Sequence, residues 1–153
     1  FLMQALNFPC YDIKQRHEKG KIYIYAHIRR KYVVATPEEW VRQHLIHFLI
    51  EERNFPKTLI ATETALKVNG LKRRTDLVVF DKKTRKVCLI VECKAPYIKI
   101  SQSVFEQIAQ YNISLQTKFL IVTNGLKHYC CKINLKEKSY HFLSDIPFYK
   151  DVI

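Results

Sequence analysis

Two short runs of this chain, Thr75-Asp76-Leu77-Val78-Val79-Phe80 and Leu89-Ile90-Val91-Glu92-Cys93-Lys94, are almost uninterruptedly apolar and rich in β-branched residues. The charged stretch Asp81-Lys82-Lys83-Thr84-Arg85-Lys86 separates them, which predicts two antiparallel strands joined by a turn. Neither run alternates apolar with polar. Leu77 and Val79 point one way and Val78 and Phe80 the other, so both faces need cover, as at the centre of an α/β sheet.

Against that background Asp76, Glu92 and Lys94 are out of place. Glu92 and Lys94 are two apart and share a face, with Cys93 pointing away. If Asp81 lies across from Val87, counting back sets Asp76 opposite Glu92; a slip of one residue would send the two acids to opposite faces. Two carboxylates and a lysine then gather at one end of a buried hairpin. Like charges there are costly unless something positive lies between them. Lys94 supplies part of that charge and a divalent cation could supply the rest, since magnesium takes one or two carboxylates and completes its shell with water and phosphate oxygen. The same three residues also read as a buried ion-pair cluster with no chemistry.

The chain has 153 residues, long enough for one domain with a real core. Lys and Arg outnumber Asp and Glu 26 to 14, for a net charge of +12, a footprint of a polyanion partner that solvated basic proteins share. DNA bound through its phosphates would be released steeply by salt. The five cysteines show no metal-ligand spacing and read as reduced thiols of a cytoplasmic protein. No apolar run is long enough to cross a membrane, and the first residues lack a signal-peptide pattern. Three glycines leave no Gly-rich phosphate loop and hence no ATP site or motor. His44 and His47 lie three apart on a helix with no third ligand near them, and read as partly buried helix residues.

In chain order, residues 1–20 read as an irregular entry arm, and Lys21 to His27 with Lys31 to Ala35 as a small hairpin, so that 1–35 packs on a main domain of 36–153. Thr36-Pro37-Glu38-Glu39 opens a helix to about Glu52: Thr36 caps, Pro37 takes the first position and Glu39 completes a capping box. Val41, Leu45, Phe48 and Leu49 form its apolar stripe. Glu38 leans toward the same side, with Arg42 one turn on; an ordinary dipole-favoured acid is the plain alternative. Thr58 to Lys67 and Leu71 to Phe80 read as strands about an Asn69-Gly70 turn. Lys72, Arg73 and Arg74 precede Asp76 and, with Arg42, are candidates for phosphate contact, whereas Lys82, Lys83, Arg85 and Lys86 lie at the far end of the hairpin. Ser103 and Glu106 predict a second capping box, followed by an apolar face of Val104, Ile108, Tyr111 and Leu115. Phe119 to Thr123 predicts a strand parallel to the Glu92 strand, reached by that helical crossover. His128 to Ile133 and Ser139 to Leu143 add strands, and Asp145 to Ile153 reads as a tail.

Asp76 followed by Glu92-Cys93-Lys94 on adjacent strands resembles the PD-(D/E)xK nuclease superfamily. More narrowly, Arg74-Thr75-Asp76-Leu77-Val78-Val79-Phe80-Asp81, Val91-Glu92-Cys93-Lys94-Ala95-Pro96 and Gln107-Ile108-Ala109-Gln110-Tyr111-Asn112 resemble the N-terminal nuclease domain of type I restriction enzyme R subunits, over about Thr36 to Gly125. The resemblance implies an α/β fold with a restriction-endonuclease-like core: helix, three antiparallel strands, helix and parallel strand, here with an N-terminal β-hairpin and extra C-terminal strands. It implies a magnesium-dependent DNA endonuclease, manganese substituting. Asp76, Glu92 and the Cys93 carbonyl would be metal ligands and Lys94 would act on the attacking water. Glu38 from the first helix and the pair Gln107 and Tyr111 would flank the site. DNA is the implied partner, with other restriction-system subunits or a second copy of the chain. The competing reading is a non-catalytic nucleic-acid-binding or assembly module on the same fold.

Overall fold

The computed structural model describes the backbone of residues 3–68 and 71–153, and their side chains apart from those of 64–74 and 114. A three-stranded antiparallel sheet comes first: β1 (Gln15–Glu18), β2 (Lys21–Ala26) and β3 (Lys31–Val34). Helix α1 (Pro37–Arg53) and a single 3₁₀ turn (Lys57–Leu59) lead to β4 (Ile60–Val68), β5 (Leu71–Phe80) and β6 (Val87–Cys93). Then come α2 (Gln102–Ser114), β7 (Phe119–Thr123), β8 (His128–Asn134), β9 (Ser139–Phe142) and the short α3 (Tyr149–Val152). β4 to β9 form one six-stranded sheet in which spatial order follows chain order. Its neighbours are antiparallel except β6 and β7, which run parallel because α2 carries the chain across.

The unalternating strands are buried on both faces, as their sequences require. Val41, Leu45 and Leu49 of α1 cover one face, against Leu77, Val79, Leu89, Val91 and Ile121. Phe105 and Ala109 of α2 cover the other, against Leu120, Val122, Cys131 and Ile133. Each fully buried Leu or Phe contributes about 1.5–3 kcal/mol, so these two layers dominate stability. Cys88, Cys93, Cys130 and Cys131 are part of these layers as buried free thiols; only Cys10 is exposed. Among the described residues, no helix is long and apolar enough to cross a membrane.

Several local expectations are corrected. The arm contains β1, paired Gln15↔Ile24 to Glu18↔Lys21; its four residues are all exposed, so no hydrophobic period announces it. Thr36 caps α1 by accepting from the Glu39 amide at 3.0 Å, but Glu39 does not complete the capping box. The Thr36 amide instead donates to the Val34 carbonyl, and Glu39 turns inward. In α2 the cap is Ser101, accepting from the Val104 amide, rather than Ser103. The buried stripe is Phe105, Ala109 and Asn112, one position on from the expected one, because Phe105 fits against the rings of Tyr129, Tyr140 and Phe142. The tail is no appendage: Ile146, Tyr149 and Val152 enter the core, and the Tyr149 hydroxyl donates to the Phe80 carbonyl. The expected Asn69-Gly70 turn lies outside the described residues.

The N-terminal arm docks on the end of the sheet where β7 turns into β8. The Asn7 amide donates to the Gly125 carbonyl at 2.8 Å, and Trp40 Nε1 donates to the Gln4 carbonyl. Gly125 has φ +84, and a Cβ there would lie 2.9 Å from Leu6 Cδ2 and 3.0 Å from Val41 Cγ2. Gly125→Ala therefore combines left-handed strain with a steric clash and should cost about 1–3 kcal/mol, read as a lower melting temperature.

Histidines 27, 44, 47 and 128 pack with Phe8, Tyr11 and Trp40 under this arm. Burial is the largest cause lowering all four pKa values from 6.5. The folded chain resists protons that the unfolded chain accepts, so these residues' contribution is present above pH 6.5 and lost as the pH falls below it. The imidazole NMR signals of His44 and His128 should accordingly titrate below 6.5; a midpoint above that value refutes the sign.

Candidate active site

β5 and β6 pair Leu77↔Val91, Val78↔Ile90 and Val79↔Leu89, and one further step of that ladder sets Asp76 across from Glu92. At the turn the register differs from the simple count. Phe80, not Asp81, faces Val87, and the extra residue Cys88 makes a bulge that absorbs the difference before the ladder reaches Asp76.

Asp76 ends held from two sides. Its Oδ2 accepts from the Cys93 amide at 2.8 Å and its Oδ1 from Arg42 Nη2 at 3.2 Å. Lys94 Nζ lies 3.2 Å from Glu92 Oε1. The Glu92 pKa is raised, first by burial and then by the charge of Asp76, with Lys94 offsetting part of this. The Glu38 pKa is raised too, again by burial and then by Asp76. Glu38 is half exposed, with Oε1 3.9 Å from Arg42 Nη2, so α1 brings this expected acid to the rim of the site.

Arg42 sits at the centre. Its side chain is 8% exposed and faces Glu39 at 2.8 Å, Asp76 at 3.2 Å, Glu63 at 3.6 Å and Glu38 at 3.9 Å. Burial works against its charge, but Glu39 first, and Asp76 and Glu63 with it, raise the pKa overall. These contacts point inward, toward carboxylates rather than toward an approaching phosphate. Glu39 is fixed in turn by Gln43 Nε2 at 2.9 Å, and Gln43 Oε1 accepts from the His27 amide.

Glu39, Gln43 and Glu63 are members of the site that the sequence reading passed over. Glu39 was hidden by its fit to a capping box. Glu63 had a usable signal: counting back from the expected Asn69-Gly70 turn sets Glu63 opposite Asp76, the count that the pairs Thr62↔Leu77 and Thr64↔Thr75 keep. Gln43 carries no sequence signal beyond lying one turn after Glu39.

A cleft of about 440 Å³ opens beside this cluster, with Glu38, Arg42, Glu63, Ala95 and the exposed Tyr97 on its walls. Neither this cleft nor a larger hollow of about 960 Å³ at the turn end of the sheet is lined by Asp76, Glu92 or Lys94. Gln107 is exposed and opens onto a shallow depression with Ser103, Glu106, Gln110 and Tyr140, while Tyr111 is half-buried one turn on. Lys72, Arg73 and Arg74 lie on β5 directly before Asp76, their side chains outside the described set.

Whether a divalent cation suits these donors can be asked of the charges. Among the described side chains, Glu38, Glu39, Glu63, Asp76 and Glu92 gather about Arg29, Arg42 and Lys94, and burial followed by the charge of Asp76 raises the pKa of both Glu38 and Glu92. Each oxygen of Asp76 keeps a second lone pair beyond the hydrogen bond it accepts. Among the described residues, no group of three or more His, Cys, Asp and Glu side chains is disposed to hold a metal. Two carboxylates and the Cys93 carbonyl are a smaller set, of the kind hard cations take when water completes the shell.

Fold and site together define a mixed α/β domain with an acidic centre at the end of its central hairpin. The chain belongs to the family described as type I restriction enzyme R protein N terminus (HSDR_N), whose model matches residues 37–147. A fragment structure described as an HsdR subunit of a type I restriction enzyme from Vibrio vulnificus YJ016 shares the fold, with a TM-score of 0.54 at 18% identity. The similarity covers 77% of this chain but only 24% of that one. No curated protein matches the sequence.

Proposed function

We propose that this chain is a magnesium-dependent deoxyribonuclease domain of the PD-(D/E)xK type, hydrolysing phosphodiester bonds on a restriction-endonuclease-like core. The observation that carries the reading is the convergence of Asp76, Glu92 and Lys94 at one end of the β5–β6 hairpin, with Asp76 fixed by the Cys93 amide and Arg42. Family membership and the element order α1, three antiparallel strands, α2 and a parallel strand support it.

Asp76, Glu92 and the Cys93 carbonyl would hold Mg²⁺, or Mn²⁺ in its place. The ion would supply Lewis-acid polarisation of the phosphate and a more acidic bound water. Arg42 and the Cys93 amide orient Asp76. Lys94, whose Nζ donates to Glu92, would steady charge on the phosphate and orient the attacking water by donating to it. Glu38, on the wall of the cleft, would flank the metal from α1. Lys72, Arg73 and Arg74 would meet the backbone phosphates, and Gln107 and Tyr111 would flank the DNA path from α2. As part of a restriction system, the domain would act in the cytoplasm beside other subunits or a second copy of itself.

The direct ion pair between Arg42 and Asp76 favours one alternative, a DNA-binding module whose acidic centre is satisfied internally. Incubation with supercoiled plasmid, with and without Mg²⁺ or Mn²⁺, separates the two. Nicked or linear product only with metal supports the nuclease; DNA binding with neither cleavage nor a metal-dependent rise in melting temperature supports the module.

A further inference from the structure

We propose that Glu63 is a positioning residue of this site, holding the Arg42 guanidinium from the β4 side so that Arg42 can fix Asp76 against the Cys93 amide. The inference rests on the nuclease reading for its purpose, though not for its geometry.

Glu63 has φ +51, a left-handed conformation inside a β-strand, on a residue with a full side chain. Such a conformation persists only where the surroundings over-determine it, and it gathers at functional sites. Its location is pointed. β4 pairs Thr62↔Leu77 and Thr64↔Thr75 with β5, so the strained residue is the one set across from Asp76.

The contacts explain what the strain accomplishes. Glu63 Oε1 lies 3.6 Å from Arg42 Nη1, and Glu63 Oε2 lies 3.4 Å from Arg29 Nη1. Arg42 Nη1 is shared with Glu39 Oε1 at 2.8 Å, while Nη2 is left to Asp76 Oδ1 at 3.2 Å. A guanidinium is a rigid planar fork, so carboxylates placed on one nitrogen fix where the other points. Glu39 from α1 and Glu63 from β4 are those carboxylates. Arg29, in the turn between β2 and β3, extends the same chain of charges into the N-terminal sheet.

Two substitutions separate this role from simple support. Glu63→Gly suits the left-handed backbone, so it removes strain and carboxylate together; Glu63→Gln keeps the strain and removes the charge. Three measurements apply: melting temperature, Mn²⁺ affinity by titration without DNA, and hydrogen exchange of the Cys93 amide, which reports on Asp76. Both variants should expose the Cys93 amide by about tenfold or more and weaken Mn²⁺ by about threefold or more. Glu63→Gly should nonetheless melt at or above wild type. Wild-type values for Cys93 exchange in both variants overturn the proposal, as does a Glu63→Gly chain that melts well below wild type. A wild-type chain that neither binds Mn²⁺ nor cuts DNA sinks the nuclease reading instead, and Cys93 exchange then decides on Glu63 by itself.

Discussion

Lys94→Ala should cut metal-dependent plasmid cleavage by about 10²-fold or more while Mn²⁺ binding and melting temperature stay near those of wild type. Two observations make the split sharp. Lys94 pairs only with Glu92 among the described residues, and both side chains keep about a third of their surface exposed, 32% and 29%. An ion pair in that setting is worth less than about 1 kcal/mol, so its loss should not unfold the chain. A lysine charge acting on the transition state affects rate rather than binding. Removing it also relieves competition for the Glu92 carboxylate, so Mn²⁺ should bind as well or better. Asp76→Asn and Glu92→Gln should behave otherwise and lose metal and cleavage together, because an amide is a poor ligand for a hard cation. An ion-pair cluster without chemistry would give another pattern, with all three variants melting early and no selective loss of rate. Melts with and without Mn²⁺, run beside the plasmid assay, distinguish the two patterns.

Arg42→Leu is expected to destabilise the fold by about 3–5 kcal/mol at neutral pH. The substitution leaves Glu39, with only 10% of its side chain exposed, as a buried carboxylate facing no cation at hydrogen-bond distance among the described residues. It also frees Asp76 Oδ1. Adding Glu39→Gln should recover a large part of the loss, since the neutral amide no longer carries a buried charge. Arg42→Lys should recover less, because an ammonium cannot fork between Glu39 and Asp76. Chemical denaturation of the single and double variants tests this. A cost below about 1 kcal/mol for Arg42→Leu would mean that the cluster is more hydrated than its burial indicates.

Much of this site was legible because its strands are apolar. In Leu77-Val78-Val79 and Leu89-Ile90-Val91 a charged residue stands out, and a fixed period of two dictates which charges meet. The cap at Thr36 and the parallel return at Phe119 followed from equally local rules. What escaped depended on choices that local rules leave open. Glu39 has the right spacing to close a capping box and the right height to face Arg42; the buried guanidinium decides between them. Arg42 reads in the sequence as a candidate for phosphate contact because nothing in Glu38-Glu39-Trp40-Val41-Arg42 reveals that four carboxylates converge on it. The left-handed turn at Glu63 is invisible in Thr62-Glu63-Thr64, which reads as plain strand. Ser101 and Ser103 are both competent caps, and the bulk of Phe105, matched to rings on β8 and β9, sets the rotation of α2.

The six-stranded sheet lists its strands in chain order, and this bears on how the molecule assembles. From β5 on, each strand pairs with its immediate predecessor, so each closure spans a short loop, and only the α2 crossover between β6 and β7 asks for more. Short closures lose little chain entropy and form early. Arg42, Glu39, Glu63, Asp76 and Glu92 at the heart of the charge cluster come from α1, β4, β5 and β6, with 34 residues from Arg42 to Asp76 and 17 from Asp76 to Cys93. The arm, by contrast, is fastened by bonds such as His128 Nε2 to the Asn7 carbonyl, 121 residues apart. On a growing polypeptide the acidic centre can therefore assemble while the seat for the arm is still unmade, and the arm is among the last segments to find its place.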